Sequence, residues 1–289
     1  MIATGKDRST AALIAAAEAG RGHFAGKAVV IKYGGAAMAA EDLRAAVAED
    51  VSRLVALGAR PVLVHGGGPE IDAMLRRLGK EPKFVGGLRY TDEETMEIVQ
   101  MVLAGKVSKD LARLIDRAGG RAIGICGLDG GLLRATRLSG ETDLGLVGEI
   151  RAVDKAPLEL ALDAGYIPVV ATVAGGLAGD PGIYNVNADT AAAEIAAALG
   201  AEELLLLTDV PGILRDVRDP GSLVRELGRS EVPRLKAEGI ITKGMIPKVD
   251  CLARAVDSGV ARARIVDGRV PHAILAALFG EGAMGTTIV

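Results

Sequence analysis

The chain contains no tryptophan, only three phenylalanines and four tyrosines. Single-stranded nucleic acid is usually held on aromatic stacking platforms beside a basic groove. Neither is encoded: 34 lysines and arginines face 37 aspartates and glutamates, a net charge of −3. Nucleic acid is therefore not an expected partner. Histidine is equally scarce (His23, His65 and His272), and the two cysteines, Cys126 and Cys251, lie far apart among apolar residues. That supply does not resemble a protein-built zinc site. It suits buried free thiols in a reducing compartment better than a disulfide. No apolar run reaches the roughly 18 residues that would span a bilayer, and the N-terminus lacks the pattern of a secretory signal. No membrane association is expected, and a cytoplasmic location is.

Glycine, by contrast, is plentiful at 39 residues, and it falls where apolar runs end. Val29, Val30 and Ile31 read as a buried parallel strand, since continuous β-branched residues suit a strand covered on both faces. Lys32 stands where that strand leaves the core, and Gly34 and Gly35 follow, then a helix. Backbone N–H groups without a neighbouring Cβ can approach a phosphate closely. An ordinary turn with Lys32 in water fits this segment equally well.

The rest of the chain, in 289 residues, has room for one large α/β domain or two lobes sharing a sheet. Ser9 to Ala19 reads as a short helix outside the main fold, either a frayed tail or an oligomerisation arm. Glu41 to Leu57 forms a helix with Leu43, Val47, Val51, Leu54 and Val55 on one stripe. The strand Pro61 to Val64 ends in His65-Gly66-Gly67-Gly68-Pro69-Glu70, ahead of a helical stripe of Ile71, Met74, Leu75 and Leu78. Three glycines between a strand and a helix form a second anion cradle, because leading helical N–H groups lack internal partners. Arg89 sits in the loop before a long helix, Glu93 to about Arg117; its planar fork suits bidentate binding of a carboxylate if the loop faces the glycine turns.

Arg121 to Cys126 is a further strand, and Leu132 to Arg137 with Leu146 to Val153 forms an antiparallel excursion covering a sheet edge. The second half repeats the alternation: helix Pro157 to Ala164, strand Tyr166 to Ala171, then Tyr184-Asn185-Val186-Asn187-Ala188-Asp189 opening an Ala-rich helix to Leu199. Asp189 reads as the N-cap of that helix. The strand Glu203 to Leu207 ends in Thr208-Asp209-Val210-Pro211-Gly212. In an open parallel sheet this loop and the Lys32 loop share the carboxyl edge, where ligands collect. Lys243 and Lys248, at the start of a helix ending near Ser258, oppose its dipole unless a polyanion binds there. Gly280 to Gly285 satisfies G-x-G-x-x-G but lies between a helix and a strand, the wrong order for a dinucleotide fold.

Five segments carry a resemblance: Ile31-Lys32-Tyr33-Gly34-Gly35, His65 to Gly68, Tyr184 to Asp189, Leu207 to Gly212, and Gly244-Met245-x-x-Lys248. In order and spacing the chain resembles the amino-acid kinase family. Gly87-Leu88-Arg89-x-Thr91-Asp92 and Gly105-Lys106-Val107-x-Lys109 resemble its branch that phosphorylates N-acetylglutamate in arginine biosynthesis. The resemblance implies an open, mainly parallel α/β sheet between helices, and three regions: an extension 1–25, an acceptor-binding lobe 26–180 and an ATP-binding lobe 181–289. It implies phosphoryl transfer from ATP to the γ-carboxylate of N-acetyl-L-glutamate, with Lys32 and Lys248 neutralising the migrating group and Asp189 orienting them; a sibling kinase acting on another acidic substrate such as carrier-linked aminoadipate, and a non-catalytic nucleotide or arginine sensor, stay open. Gly67, Gly68, Arg89 and Asn185 would bind the acceptor. Gly34, Gly35, Asp209, Gly212 and Gly244 would serve the nucleotide. Mg2+ would be held mainly by the ATP phosphates, with no metal site of the protein's own. A homodimer is implied; a hexamer built through the N-terminal helix, arginine acting near His272 and the C-terminal loop, and a PII-type signalling protein stay open. The chain departs from the family pattern at Lys243 and Leu128, where glycine and lysine are common.

Overall fold

The computed structural model describes residues 5–38, 40–242, 244–280 and 284–289. Its strands, in chain order, are β1 (Ala28–Tyr33), β2 (Arg60–His65), β3 (Phe84–Val85), β4 (Leu88–Arg89), β5 (Ala122–Cys126), β6 (Leu133–Arg137), β7 (Val147–Val153), β8 (Ile167–Ala171), β9 (Val173–Gly176), β10 (Ile183–Val186), β11 (Glu203–Thr208), β12 (Glu226–Leu227), β13 (Arg262–Asp267) and β14 (Thr286–Ile288). The helices are α1 (Gly5–Ala19), α2 (Glu41–Ala56), α3 (Gly68–Arg77), α4 (Glu93–Gln100), α5 (Ser108–Arg117), α6 (Ala156–Asp163), α7 (Ala188–Leu199), α8 (Val232–Ala237), α9 (Met245–Asp257) and α10 (Ala273–Phe279).

Eight strands form the main sheet in the order β12-β14-β13-β11-β1-β2-β8-β5. All its pairings are parallel except β13 with β14. The expected α/β architecture is therefore the observed one. β1 lies between β11 and β2, so the chain's two halves meet at β1, where the crossovers leave in opposite directions and a crevice opens at the carboxyl edge.

Alternation along the strands decides what faces what. Val29, Ile31 and Tyr33 of β1, with Leu205 and Leu207 of β11, pack into one apolar cluster that includes Val51 of α2, Val99 of α4, Leu111 of α5 and Ile274 of α10. Val30, Leu204 and Leu206 join the opposite cluster, with Ala192 and Ala196 of α7 and Leu252 of α9. Side chains of a strand alternate between faces. Lys32 therefore emerges on the α7 and α9 side, and His65, two residues beyond Leu63, on the other.

Several local expectations are revised. The excursion of β6 and β7 is antiparallel as expected, but β9 and β10 close it into a four-stranded barrel, β10-β7-β6-β9. A lone two-stranded ribbon leaves two unpaired edges and buries little; closure removes both. The helix expected from Glu93 to Arg117 contains a π-helical turn, Met101–Val107, between α4 and α5. Leu78 lies beyond α3 and is 57% exposed, outside the buried stripe. The N-terminal helix is docked rather than outside the fold: Ala17 and the following Phe24 are buried, and Phe24 meets Phe279 of α10 edge-on at 5.6 Å. Lys243, Gly282 and Ala283 lie outside the described residues.

Leu205 is fully buried in a central strand, so Leu205→Ala should cost about 2–5 kcal/mol. A urea midpoint lowered accordingly, at unchanged m-value, is the expected outcome.

Candidate active site

The helix that faces Lys32 begins at Ala188, and its cap is not Asp189. Asn187 has extended backbone, and its side-chain oxygen accepts from the N–H groups of Asp189 (2.9 Å) and Thr190 (3.1 Å). Asn is among the strongest N-capping residues. With Asn187 satisfying those donors, the Asp189 carboxylate is free to turn outward, and it lies between two ammonium groups. Lys32 Nζ is 3.0 Å from Oδ1, and Lys248 Nζ donates to Oδ2 at 2.6 Å. The Asp189 and Lys32 side chains are each only 13% exposed. Burial pushes the Asp189 carboxyl up, but the charges of Lys32 and Lys248 outweigh it and hold the group below the usual carboxylate range. Behind it, the Cys251 thiol on α9 donates to the Asp189 carbonyl at 3.2 Å.

The glycine turns meet at the same place. A Cβ at Gly34 would lie 3.5 Å from Lys32 Nζ and 3.6 Å from the Gly66 nitrogen, and one at Gly66 would lie 3.6 Å from Ala188 Cβ. Gly66 N–H donates to Tyr33 O at 3.2 Å, tying the second turn to the first. Gly68 is the first residue of α3, whose leading N–H groups have no preceding turn to donate to. Such a turn beside two lysines is an anion site on both charge and hydrogen-bond grounds.

Two adjoining clefts open here. A small one of about 160 Å³ is lined by Gly66, Gly67, Gly68, Arg89, Leu103 and Asn185, among others. A larger one of about 830 Å³ is lined by Asn187, Asp189, Thr190, Gly244, Lys248 and Arg254, among others. Arg89 is a buried strand residue, not a loop arginine in water: its Nη1 lies 2.6 Å from Asp72 Oδ1, its Nη2 donates to Gly68 O at 3.3 Å, and its guanidinium stacks 4.7 Å from the Phe84 ring centroid. Asn185 Nδ2 donates to the buried Thr91 hydroxyl at 3.2 Å, which leaves its amide oxygen for the cleft.

A sequence profile of the amino acid kinase family matches residues 27–267. The chain belongs to that family. Among its relatives is a protein of Clostridium beijerinckii named acetylglutamate kinase, 51% identical over 92% of this chain and 93% of its own. Another of the same name, from Thermosynechococcus vestitus, is 51% identical over 92% of this chain and 89% of its own. Of solved structures, N-acetylglutamate synthase from Neisseria gonorrhoeae, complexed with coenzyme A and N-acetyl-glutamate, superposes with a TM-score of 0.81. It is 27% identical, and the match covers 96% of this chain and 63% of that one. Carbamate kinase from Giardia lamblia shares the fold at a TM-score of 0.65 and 16% identity, over 91% of this chain and 98% of that one.

Within this amino acid kinase frame, Gly67, Gly68, Arg89, Asn185, Asp189, Gly244 and Lys248 line the paired clefts, and Lys32 and Gly34 reach them through Asp189 and Gly66. Gly35, Asp209 and Gly212, expected to serve the nucleotide, are loop residues that line neither cleft. Gly35 has an exposed left-handed backbone (φ 64°). Asp209 is exposed beyond β11 and lines neither cleft. Gly212 has a packing reason of its own, since a Cβ there would lie 2.7 Å from Thr286 Oγ1. Residues the sequence reading passed over also matter: Asn187, legible as a cap from its place before Asp189 and Thr190, and Asp72, which has no local signal because its partner lies 17 positions away in another element. Leu128, at a departure from the family pattern, packs partly buried against the apolar core.

His65, fully buried beneath the glycine turn, contacts Gly66 O through Nδ1 at 2.9 Å. Burial lowers its pKa from 6.5 to about 4. The unfolded chain thus takes a proton between those values and the folded one does not, so stability is full above pH 6.5 and falls as pH drops towards 4, by roughly 3 kcal/mol at most. Urea midpoints measured across that window should fall with pH, and His65→Gln should flatten the slope.

Proposed function

We propose that this chain transfers the γ-phosphoryl group of ATP to the γ-carboxylate of N-acetyl-L-glutamate, giving N-acetyl-γ-glutamyl phosphate, a step of arginine biosynthesis in the cytoplasm. The observation that carries the reading is the pair of lysines, one from β1 and one from α9, held on a single carboxylate beside two glycine turns. The relatives of the same length and half-identical sequence support it. In this reading the lobe of residues 26–180 holds the acceptor and that of 181–289 holds ATP.

An acceptor carboxylate is already ionised at neutral pH, so it needs no general base. Its oxygen attacks the γ-phosphorus, a new P–O bond forms, and the bond to the β–γ bridging oxygen breaks with its electrons leaving on ADP. Negative charge is spread over the migrating group throughout. Lys32 and Lys248 cancel it, and the N–H groups of Gly34, Gly67 and Gly68 complete the cradle, the division of labour expected of phosphoryl transfer. Arg89 and Asn185 take the acceptor's remaining carboxylate and amide, and Gly244 at the start of α9 borders the nucleotide. Gly35, Asp209 and Gly212 stay in the proposed nucleotide set as loop residues at the carboxyl edge.

Mg2+ fits this site as a passenger on ATP. Asp189 directs both oxygens at lysines, and Glu149 of the larger cleft is paired with Arg151 at 2.5 Å. Neither is a free ligand, so the ion would be held by phosphate oxygens, adding charge cancellation when bound. A homodimer accompanies this reading, with the hexamer through α1 and a PII-type partner as open extensions. An arginine effector would be received in the cleft of about 600 Å³ between α1 and α2, lined by Asp42, Glu49 and His272 among others. Its acidic wall suits a cation. Velocity that stays flat up to millimolar arginine would remove that effector.

Lys32→Ala and Lys248→Ala should each lower kcat by more than about a hundredfold, the usual cost of deleting a preorganised charge-stabilising donor. ADP release with N-acetyl-L-glutamate measures it, and near-native turnover in both variants would refute the assignment.

A further inference from the structure

The small cleft has a hard wall. Gly67 sits at its base, and space by itself keeps a side chain out: a Cβ at 67 would lie 2.7 Å from Leu103 Cδ2 and 3.2 Å from Val107 Cγ2. Both side chains come from the π-helical turn Met101–Val107. π turns of this kind frequently occur at functional sites. Leu103 is 2% exposed, anchored in the main apolar cluster, and also lines the cleft. It can neither swing into water nor retreat without leaving a void.

The two polar ends of the site are fixed as well. At one end Arg89 is held by Asp72, Gly68 O and the Phe84 ring. At the other, Lys32, Asp189 and Lys248 hold one another. An acceptor carrying a carboxylate at each end must span a preset distance. Between those ends the acceptor passes through the smaller cleft of about 160 Å³, walled in part by Leu103, so an additional methylene has to be taken up against that wall.

Resting on the functional reading above, we infer that Leu103, carried on the π-helical turn against Gly67, sets the chain length of the dicarboxylate acceptor and rejects homologues one methylene longer. It is a specificity-determining residue and takes no part in the chemistry.

The test compares kcat/KM for N-acetyl-L-glutamate and for N-acetyl-L-2-aminoadipate, one methylene longer, in wild type, Leu103→Ala and the milder Leu103→Val. Circular dichroism and an unchanged KM for ATP confirm that each variant is folded. The ratio of the longer to the native acceptor should rise by about tenfold or more in Leu103→Ala and by less in Leu103→Val, the scale at which a pocket discriminates one methylene. Leu103→Phe should lower kcat/KM for N-acetyl-L-glutamate mainly through KM. A folded Leu103→Val and Leu103→Ala with the wild-type ratio overturn the inference while leaving the kinase reading intact. Wild-type protein that fails to turn over N-acetyl-L-glutamate overturns both.

Discussion

One carboxylate between two ammonium groups is the interaction on which the site depends. Two ammonium groups brought to one carboxylate repel each other, more strongly where water is partly excluded, and here both are largely buried. Asp189 offsets that repulsion and keeps the two lysines within reach of one ligand. Two positive charges against one negative leave a net charge of +1, which an incoming polyphosphate can satisfy. The trio is anionophilic by construction, yet stable enough to form before the anion arrives. It also joins the two halves of the chain, since Lys32 lies on the first strand, and Asp189 and Lys248 on helices of the second half.

That arrangement constrains its surroundings. Asp189 can serve the lysines only because Asn187 has taken over the cap, and α7 can approach β1 closely because the residues it buries are mostly alanines, Ala191, Ala192, Ala193 and Ala196. Lys32 points at α7 because it follows Ile31 in a strand whose side chains alternate. The smaller cleft is held just as firmly, by the salt bridge of Arg89 to Asp72 and by the π-helical turn against Gly67. A rigid frame with fixed ends suits a reaction whose catalysis is mostly positioning and charge cancellation.

Much of this was legible in the residues. The β-branched run of β1, the glycine turns after β1 and β2, and the lysine placed against a helix dipole each carry a local physical signal, and each lies where the sequence reading put it. The misreadings share one cause. On local grounds Asp189 looked like a cap, and only the family resemblance pointed to the lysines, because its partners lie on strand β1 and helix α9. Arg89 looked like a loop side chain because nothing nearby in sequence announces Asp72 or Phe84. The hairpin of β6 and β7 became a barrel only by pairing with strands that begin some 20 residues later.

The sequence by itself determined the alternation of strand and helix, the two cradles, the cationic residues and the family to which they point, because periodicity, glycine placement and charge are written within a few neighbouring positions. Tertiary structure alone decided the distances at which Lys32 and Lys248 meet Asp189, that Arg89 is buried against Asp72 and Phe84, and that Leu103 walls the smaller cleft. Those are distances between segments far apart in the chain, set by how the strands order themselves around β1 and by which face each side chain reaches.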